Sequence, residues 1–100
     1  MKFELTSTGY LHIPAEVAVR FPTRTAIALV RGEELWLMPV SHPGAGGLLL
    51  KIRNPRGDRS LYVQEQLPEG VPPGVRDAVW DEKIGAFRIP LLRSNTTMKP

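Results

Sequence analysis

The chain has 100 residues, a formal net charge of +3 and no cysteine. Its length suits one domain, and a composition of 42% hydrophobic and 23% charged residues is typical of a folded globular protein. The lack of cysteine excludes a disulfide framework, a thiolate metal site and a cysteine nucleophile. Residues 1–4 lack the apolar core of a signal peptide, and no apolar run approaches membrane-spanning length. We therefore expect a cytoplasmic protein without a membrane partner.

The N-terminal segment predicts two short strands followed by a helix. The strands are Lys2–Thr6 and Tyr10–Ile13, separated by the turn-forming sequence Thr-Ser-Thr-Gly. Pro14 suits the first position of a helix, where its missing N–H costs nothing. We expect this helix to cover Ala15–Phe21, because Pro22 follows and cannot continue it.

The next predicted unit is a β-hairpin with two apolar faces. Its strands are Thr25–Arg31 and Glu34–Val40, joined around an Arg-Gly-Glu turn. Aliphatic side chains alternate onto both sides of the first strand, while Leu alternates with Trp and Met in the second. A domain of this size has difficulty covering both faces by itself. We therefore predict a homodimer in which a second copy covers one face of this hairpin.

The positive charge of the chain is concentrated in Lys51–Ser60, where four cations and one carboxylate leave a net charge of +3. Residues 1–40, in contrast, carry four cations and four anions. Apolar runs lead into and out of the basic stretch, which predicts a hairpin with strands Gly47–Arg53 and Ser60–Gln66. Arginine recognises carboxylates and phosphates, so this tip is the predicted binding surface for an anionic partner. Its residues are Arg53, Arg56 and Arg59, with Lys51 and Tyr62 beside them.

The remaining sequence predicts one more hairpin and two irregular segments. The hairpin consists of Asp77–Trp80 and Ala86–Leu92 around a charged turn. Leu67–Gly74 is rich in proline and glycine, and it either covers a sheet edge or belongs to a binding surface. We expect residues 93–100 to form a polar, flexible tail.

Successive hairpins with a single short helix define the expected fold class. We predict a mainly β chain that forms a small barrel-like or sandwich-like domain. The domain would span residues 1–92, with possible sub-halves at 1–40 and 47–92.

A short signature near the N-terminus suggests a family. Gly9–Pro14 reads Gly-Tyr-Leu-His-Ile-Pro, a short helix follows, and the next hairpin closes with Leu37–Pro39. This order resembles the swapped-hairpin, AbrB-type family of bacterial transcription regulators and antitoxins, over residues 1–40 only. The resemblance implies that two chains exchange hairpins and that nearby arginines contact DNA. The candidates for such contacts are Arg20 and Arg24.

Nothing in the sequence supplies a reaction. His12 and His42 are thirty residues apart, and neither lies in a cluster with the spacing of metal ligands. We therefore predict a non-enzymatic protein with no metal and no cofactor. The preferred function is an accessory or regulatory protein that docks on an acidic protein partner. The alternatives are an AbrB-like DNA-binding regulator or antitoxin, and an RNA-binding β-barrel in which Tyr62 stacks on bases.

Overall fold

The computed structural model of this chain describes residues 1–42 and 44–92. The predicted flexible tail therefore lies outside the described residues. Within them the structure has ten strands, one short α-helix and one short 3-10 helix, Gln64–Gln66. The α-helix, α1, is Ala15–Ala18. The strands are β1 Lys2–Leu5, β2 Tyr10–Ile13, β3 Thr25–Arg31, β4 Glu34–Pro39, β5 Leu48–Leu49, β6 Lys51–Ile52, β7 Arg59–Tyr62, β8 Gly74–Asp77, β9 Val79–Asp81 and β10 Ala86–Pro90.

These strands form two antiparallel five-stranded sheets. The first, sheet A, has the order β6-β7-β2-β1-β8, and the second, sheet B, has the order β5-β3-β4-β10-β9. Each sheet keeps two edge strands, so the fold is sandwich-like and is not a closed barrel. The predicted class, mainly β with successive hairpins and one short helix, is confirmed. Both halves of the chain contribute strands to both sheets.

One apolar core fills the space between the sheets. Strand alternation supplies it, because every second residue of β1, β2 and β4 is buried. Phe3 of sheet A lies 5.6 Å from Phe87 of sheet B, measured between ring centroids. Phe21, which follows α1, stacks on the same ring at 5.4 Å. Burial of these aromatic rings contributes a large share of the hydrophobic stabilisation.

Besides its passage from β2 to β3 through α1, the chain changes sheet at two buried residues, and both of these changes correct the sequence prediction. The predicted strand Gly47–Arg53 is divided at Leu50, which separates β5 in sheet B from β6 in sheet A. The predicted strand Asp77–Trp80 is divided at Ala78, between β8 and β9. At each crossing the backbone amide has another partner: Leu50 donates to the carbonyl of Arg24 at 2.9 Å, and Ala78 to that of Met1 at 2.7 Å.

Two further predictions are wrong in detail. The α-helix ends at Ala18 and not at Phe21, because the amides of Arg20 and Phe21 bond to carbonyls three residues back and form tighter turns. Ile52, expected on the inner face, is 68% exposed, since it ends the edge strand β6 beyond the reach of the core. The strands Tyr10–Ile13 and Thr25–Arg31 have the predicted limits.

A buried arginine joins the two sheets on the side of β8. Arg76 is 2% exposed, and its Nε donates to the carbonyl of Pro90 at 2.9 Å. Its Nη2 donates to the carbonyls of Leu91, at 2.8 Å, and Pro72. The irregular segment Leu67–Gly74 is thereby tied to the end of β10, and it also packs partly buried side chains on the core.

Candidate functional site

The basic stretch forms the predicted hairpin, but its tip is shorter than expected. In the register of β6 and β7, Lys51 lies opposite Ser60 and Ile52 lies opposite Arg59. The amide of Arg53 donates to the carbonyl of Asp58 at 2.8 Å and closes the turn. Arg59 therefore belongs to strand β7 and not to the tip.

Asp58 fixes this turn against the start of α1. Its Oδ1 accepts from the amide of Ala15 at 2.9 Å. Its Oδ2 accepts from Asn54 Nδ2 at 2.9 Å and from Arg56 Nη2 at 2.8 Å. The hydrogen bonds from Asn54, Arg56 and Ala15 favour the ionised carboxylate and lower the pKa of Asp58 to about 2. The turn is therefore anchored to the body of the protein.

Three arginines line one open cleft beside the anchored turn. Arg56 comes from the turn, Arg59 from β7, and Arg24 from the loop before β3. The cleft has a volume of about 320 Å³. We call it the arginine cleft. Its lining residues are Ala15, Ala18, Val19, Phe21, Pro22, Arg24, Leu50, Arg56, Gly57 and Arg59.

The floor of the arginine cleft is apolar and its wall is cationic. Phe21 and Leu50 are almost fully buried beneath it, whereas Val19 at the rim is 79% exposed. Arg59 Nη1 makes a long hydrogen bond of 3.3 Å to the carbonyl of Leu50. Among the described residues, Arg56 is paired with a carboxylate, and no ion pair engages Arg24 or Arg59. The cleft therefore carries an excess of about two positive charges and can hold an anion with an apolar group attached.

The structure separates Arg53 from the other arginines of the basic stretch. Arg53 borders a shallow depression on the outer face of sheet A, together with Lys2, Glu4 and His12. His12 Nδ1 lies 3.9 Å from Glu4 Oε1. Partial burial lowers the pKa of His12, Arg53 lowers it further, and Glu4 opposes both effects. This second group of charges is mixed in sign.

Lys51 and Tyr62 also lie on the outer side of sheet A. Tyr62 is 43% exposed and pairs across the strands with Tyr10. The two ring centroids are 5.0 Å apart, with the ring planes inclined by 56°. The ring of Tyr10 is half-buried and contacts the exposed ring of Tyr62 on this face.

The two arginines of the AbrB resemblance lie in different surroundings. Arg24 lines the arginine cleft. The guanidinium carbon of Arg20 instead lies 5.2 Å from the ring centroid of Trp80 and 5.3 Å from that of Phe87. Such stacking holds the guanidinium through cation–π attraction. DNA contact by these two residues stays a prediction.

The outer face of sheet B is apolar at its centre. In the register of β3 and β4, Ile27 lies opposite Met38 and Leu29 opposite Trp36. Ile27 and Leu29 are 41% and 36% exposed, while the inward residues of these two strands are buried or partly buried. We call these four residues the apolar face.

An ion-pair cluster borders the apolar face on the side of β10. Arg88 Nε lies 2.9 Å from Glu34 Oε1, and Arg88 Nη1 lies 3.2 Å from Asp81 Oδ2. Hydrogen bonds from Arg88 and then Trp36 lower the pKa of Glu34. Because Arg31 pairs with Glu34 in register on the other side, the charges around the apolar face balance.

Other classes of site have little support among residues 1–42 and 44–92. Within these ranges no three His, Asp or Glu side chains are grouped so that they could share a metal ion. The same ranges contain no helix with the length and apolar character needed to cross a bilayer. Comparison of the chain with protein-family models, curated proteins and solved structures finds no match.

Sequence reasoning found the cations but missed the cleft. Arg24 and Val19 join Arg56 and Arg59 because the chain changes sheets at Leu50, next to Arg24. No local pattern signals this contact, since the residues that meet are more than twenty positions apart in the sequence. The composition of the Lys51–Ser60 stretch was the available signal, and it indicated one wall of the cleft.

Proposed function

We propose that this protein acts by binding and not by catalysis, as an accessory or regulatory protein that docks on an acidic protein partner. The observation that carries the proposal is the arginine cleft, in which Arg24, from the loop before β3, lines one concavity with Arg56 and Arg59 of the distant β6–β7 hairpin. Local charge clusters on a single turn are common on solvated surfaces. Convergence of guanidinium groups from distant segments is a stronger reason to assign binding.

The chemistry of the cleft suits carboxylates of a protein partner. A guanidinium group donates two parallel hydrogen bonds to a carboxylate, and such pairs are stronger than neutral hydrogen bonds. Asp58 already accepts hydrogen bonds from Ala15, Asn54 and Arg56. It therefore competes only weakly with an anionic ligand for Arg24 and Arg59. Electrostatic attraction then speeds association with an acidic surface and weakens in salt.

This proposal is tested by fluorescence anisotropy with a labelled peptide of six glutamates. We expect binding at low salt, and a loss of affinity of about tenfold or more with Arg24→Glu, because reversal turns an attractive charge into a repulsive one. Arg53→Glu is the matched control, since it makes the same charge change outside the cleft. Equal losses with both variants would mean that net charge alone attracts the peptide, and the cleft would have no special part in binding.

We further propose that the protein forms a homodimer through the apolar face of sheet B. Edge-to-edge association is disfavoured there, because the edge strands β5 and β9 have two and three residues. The charges of Arg31, Arg88, Glu34 and Asp81 sum to zero, so two identical surfaces can approach without strong net repulsion. Face-to-face packing would cover Ile27 and Leu29, whose exposure is the observation that supports a second copy.

Light scattering with Ile27→Glu tests the dimer. A dimer of the unchanged protein should dissociate in this variant, with a rise in dissociation constant of about a hundredfold or more, because two unpaired carboxylates face each other across the symmetry axis. Val75→Glu is the matched control: Val75 is also apolar and 57% exposed, but it lies in sheet A. A monomeric unchanged protein at high concentration would refute the dimer.

Single-stranded RNA is a second candidate ligand, favoured by the contact between Tyr10 and Tyr62 on the outer face of sheet A. Exposed aromatic rings near a cation such as Lys51 can stack with bases. In a titration with a labelled oligouridine, Tyr62→Ala should weaken binding about tenfold, whereas Tyr62→Phe, which keeps the ring, should not. If Tyr62→Ala leaves the affinity unchanged, this candidate is removed.

A further inference from the structure

We infer that the arginine cleft is built for a phosphate monoester carried on an apolar or aromatic group. This inference rests on the proposed function, because it specifies the anion that the same cleft would accept. The inference depends on two properties of the cleft, its excess of positive charge and its apolar floor. A simple carboxylate would not match both of them.

The charge excess matches a dianion better than a monoanion. Arg24, Arg56 and Arg59 supply three positive charges, and the carboxylate of Asp58 pairs with Arg56. About two positive charges remain for a ligand. A phosphate monoester carries about −1.5 to −2 at pH 7, whereas a carboxylate carries −1. Its three terminal oxygens can also accept from two guanidinium forks at once.

The apolar floor calls for a group attached to the phosphoryl. An inorganic anion would use the cationic wall and leave the exposed Val19 and Pro22 and the half-buried Ala15 in contact with water. An attached aromatic or aliphatic group would cover them, and removing apolar surface from water adds to the affinity. The volume of about 320 Å³ lies at the lower end of the range for small-molecule pockets, which fits one ring with one phosphoryl group.

Calorimetric titration with phenyl phosphate, inorganic phosphate and benzoate tests the inference. We expect phenyl phosphate to bind about tenfold more tightly than either comparison ligand, because neither combines a double negative charge with an apolar ring. Arg24→Gln should reduce this binding about tenfold or more, and Arg53→Gln, the control outside the cleft, should leave it unchanged. Val19→Ser should weaken phenyl phosphate and leave inorganic phosphate unaffected.

The possible sources of the phosphate monoester are separated by a second arm. A short peptide with a phosphorylated tyrosine is compared with free phenyl phosphate and with the unphosphorylated peptide. Binding of the phosphopeptide at the affinity of phenyl phosphate or better identifies a protein side chain as the source. Binding of phenyl phosphate alone identifies a free small molecule.

Failure of this inference can be distinguished from failure of the proposed function. If benzoate binds as tightly as phenyl phosphate, or if Arg24→Gln has no effect, the phosphate assignment is wrong. The same holds if phenyl phosphate does not bind while the hexaglutamate peptide still does, and in that case docking on carboxylates stands. A different outcome is that Arg24→Glu leaves hexaglutamate binding intact while the unchanged protein binds phenyl phosphate and Arg24→Gln weakens that binding. In that case the proposed protein partner is wrong and the site for a small anion stands.

Discussion

Replacement of the buried Arg76 by methionine tests the account of how the two sheets are joined. The side chain is 2% exposed and donates to the carbonyls of Pro72, Pro90 and Leu91. Arg76→Met keeps an apolar stem but shortens the side chain by the end of the guanidinium group, and it removes every donor. Replacing buried charges by apolar groups can be neutral when all the partners change together. Here the acceptors are backbone carbonyls, which stay in place.

The expected cost follows from the surroundings of those carbonyls. The hydrogen bond to Leu91 is buried, so its oxygen loses a partner and cannot reach water. A buried acceptor that is left without a hydrogen-bond partner lowers the stability by about 1–3 kcal/mol. The bonds to Pro90 and Pro72 are partly buried, and water can replace the guanidinium there at a smaller cost. Together these effects predict a loss of about 2–4 kcal/mol in the free energy of unfolding.

Urea unfolding followed by tryptophan fluorescence measures this loss. Arg88→Met is the matched control, because Arg88 also loses a guanidinium but its side chain is 42% exposed in a surface ion-pair cluster. Exposed ion pairs contribute about 0–1 kcal/mol. In thermal unfolding, Arg76→Met should lower Tm by about 8–32 °C, at 4–8 °C per kcal/mol for a domain of this size. If both variants lose the same stability, the contacts of Arg76 do not join the sheets as argued.

Three further predictions concern the turn, a tight glycine and a histidine. The pKa of Asp58 is lowered from 3.8 to about 2, so its contribution to stability is present above pH 4 and is lost as pH falls through 2. Urea midpoints between pH 5 and pH 2 should therefore fall less in Asp58→Asn than in the unchanged protein, and parallel curves would contradict this. Gly9→Ala should lower the free energy of unfolding more than Gly85→Ala. Both glycines have positive φ, but a Cβ at position 9 also collides with Gln64, whereas the space at position 85 is open. Equal unfolding free energies of the two variants would refute the collision. The pKa of His12 is lowered from 6.5, so NMR titration should place its midpoint below that value, and its contribution to stability should decrease as pH falls through 6.5. A midpoint above 6.5 would mean that Glu4 dominates.

The elements that the sequence predicts well are those fixed by local alternation. Tyr10–Ile13 and Thr25–Arg31 have their predicted limits, because turn residues bound both segments in the sequence. In the last hairpin, the alternation of apolar residues along the sequence predicts that Phe87, Ile89 and Leu91 face inward, and all three are buried. Such features depend on neighbours in the chain, and a single sequence contains them.

Changes of sheet could not be found by the same reasoning. Leu48, Leu50 and Ile52 alternate as one strand would, yet Leu50 is buried between two short strands of different sheets and Ile52 is exposed. The alternation is the same whether the chain continues or bends at Leu50. In the structure, the bend at Leu50 is accompanied by a hydrogen bond from the amide of Leu50 to the carbonyl of Arg24. That partner is set by the packing of the whole domain.

In the candidate site, likewise, the charged residues could be predicted from the local sequence, but their positions relative to one another could not. Charge counting located Arg56 and Arg59, and the one carboxylate of that stretch, Asp58, forms an ion pair with Arg56 at 2.8 Å. Charge counting also included Arg53, which the strand geometry turns toward the outer face of sheet A. Arg24 entered the prediction for another reason, the AbrB resemblance, and its position in the cleft depends on the same crossing at Leu50.

Anchoring of the turn explains why a cleft with fewer free charges can bind better than a free basic loop. Asp58 neutralises Arg56 in part, but with Asn54 and Ala15 it holds the turn in one conformation. Gly57 has a φ near +100°, a backbone conformation that residues with a Cβ rarely adopt, and this glycine lets the turn keep that conformation. A mobile loop would offer more net charge but would lose side-chain and backbone entropy when it bound a ligand. The anchored turn has already lost that entropy during folding. We therefore expect less of the attraction between Arg24, Arg59 and an anion to be offset by a loss of entropy on binding.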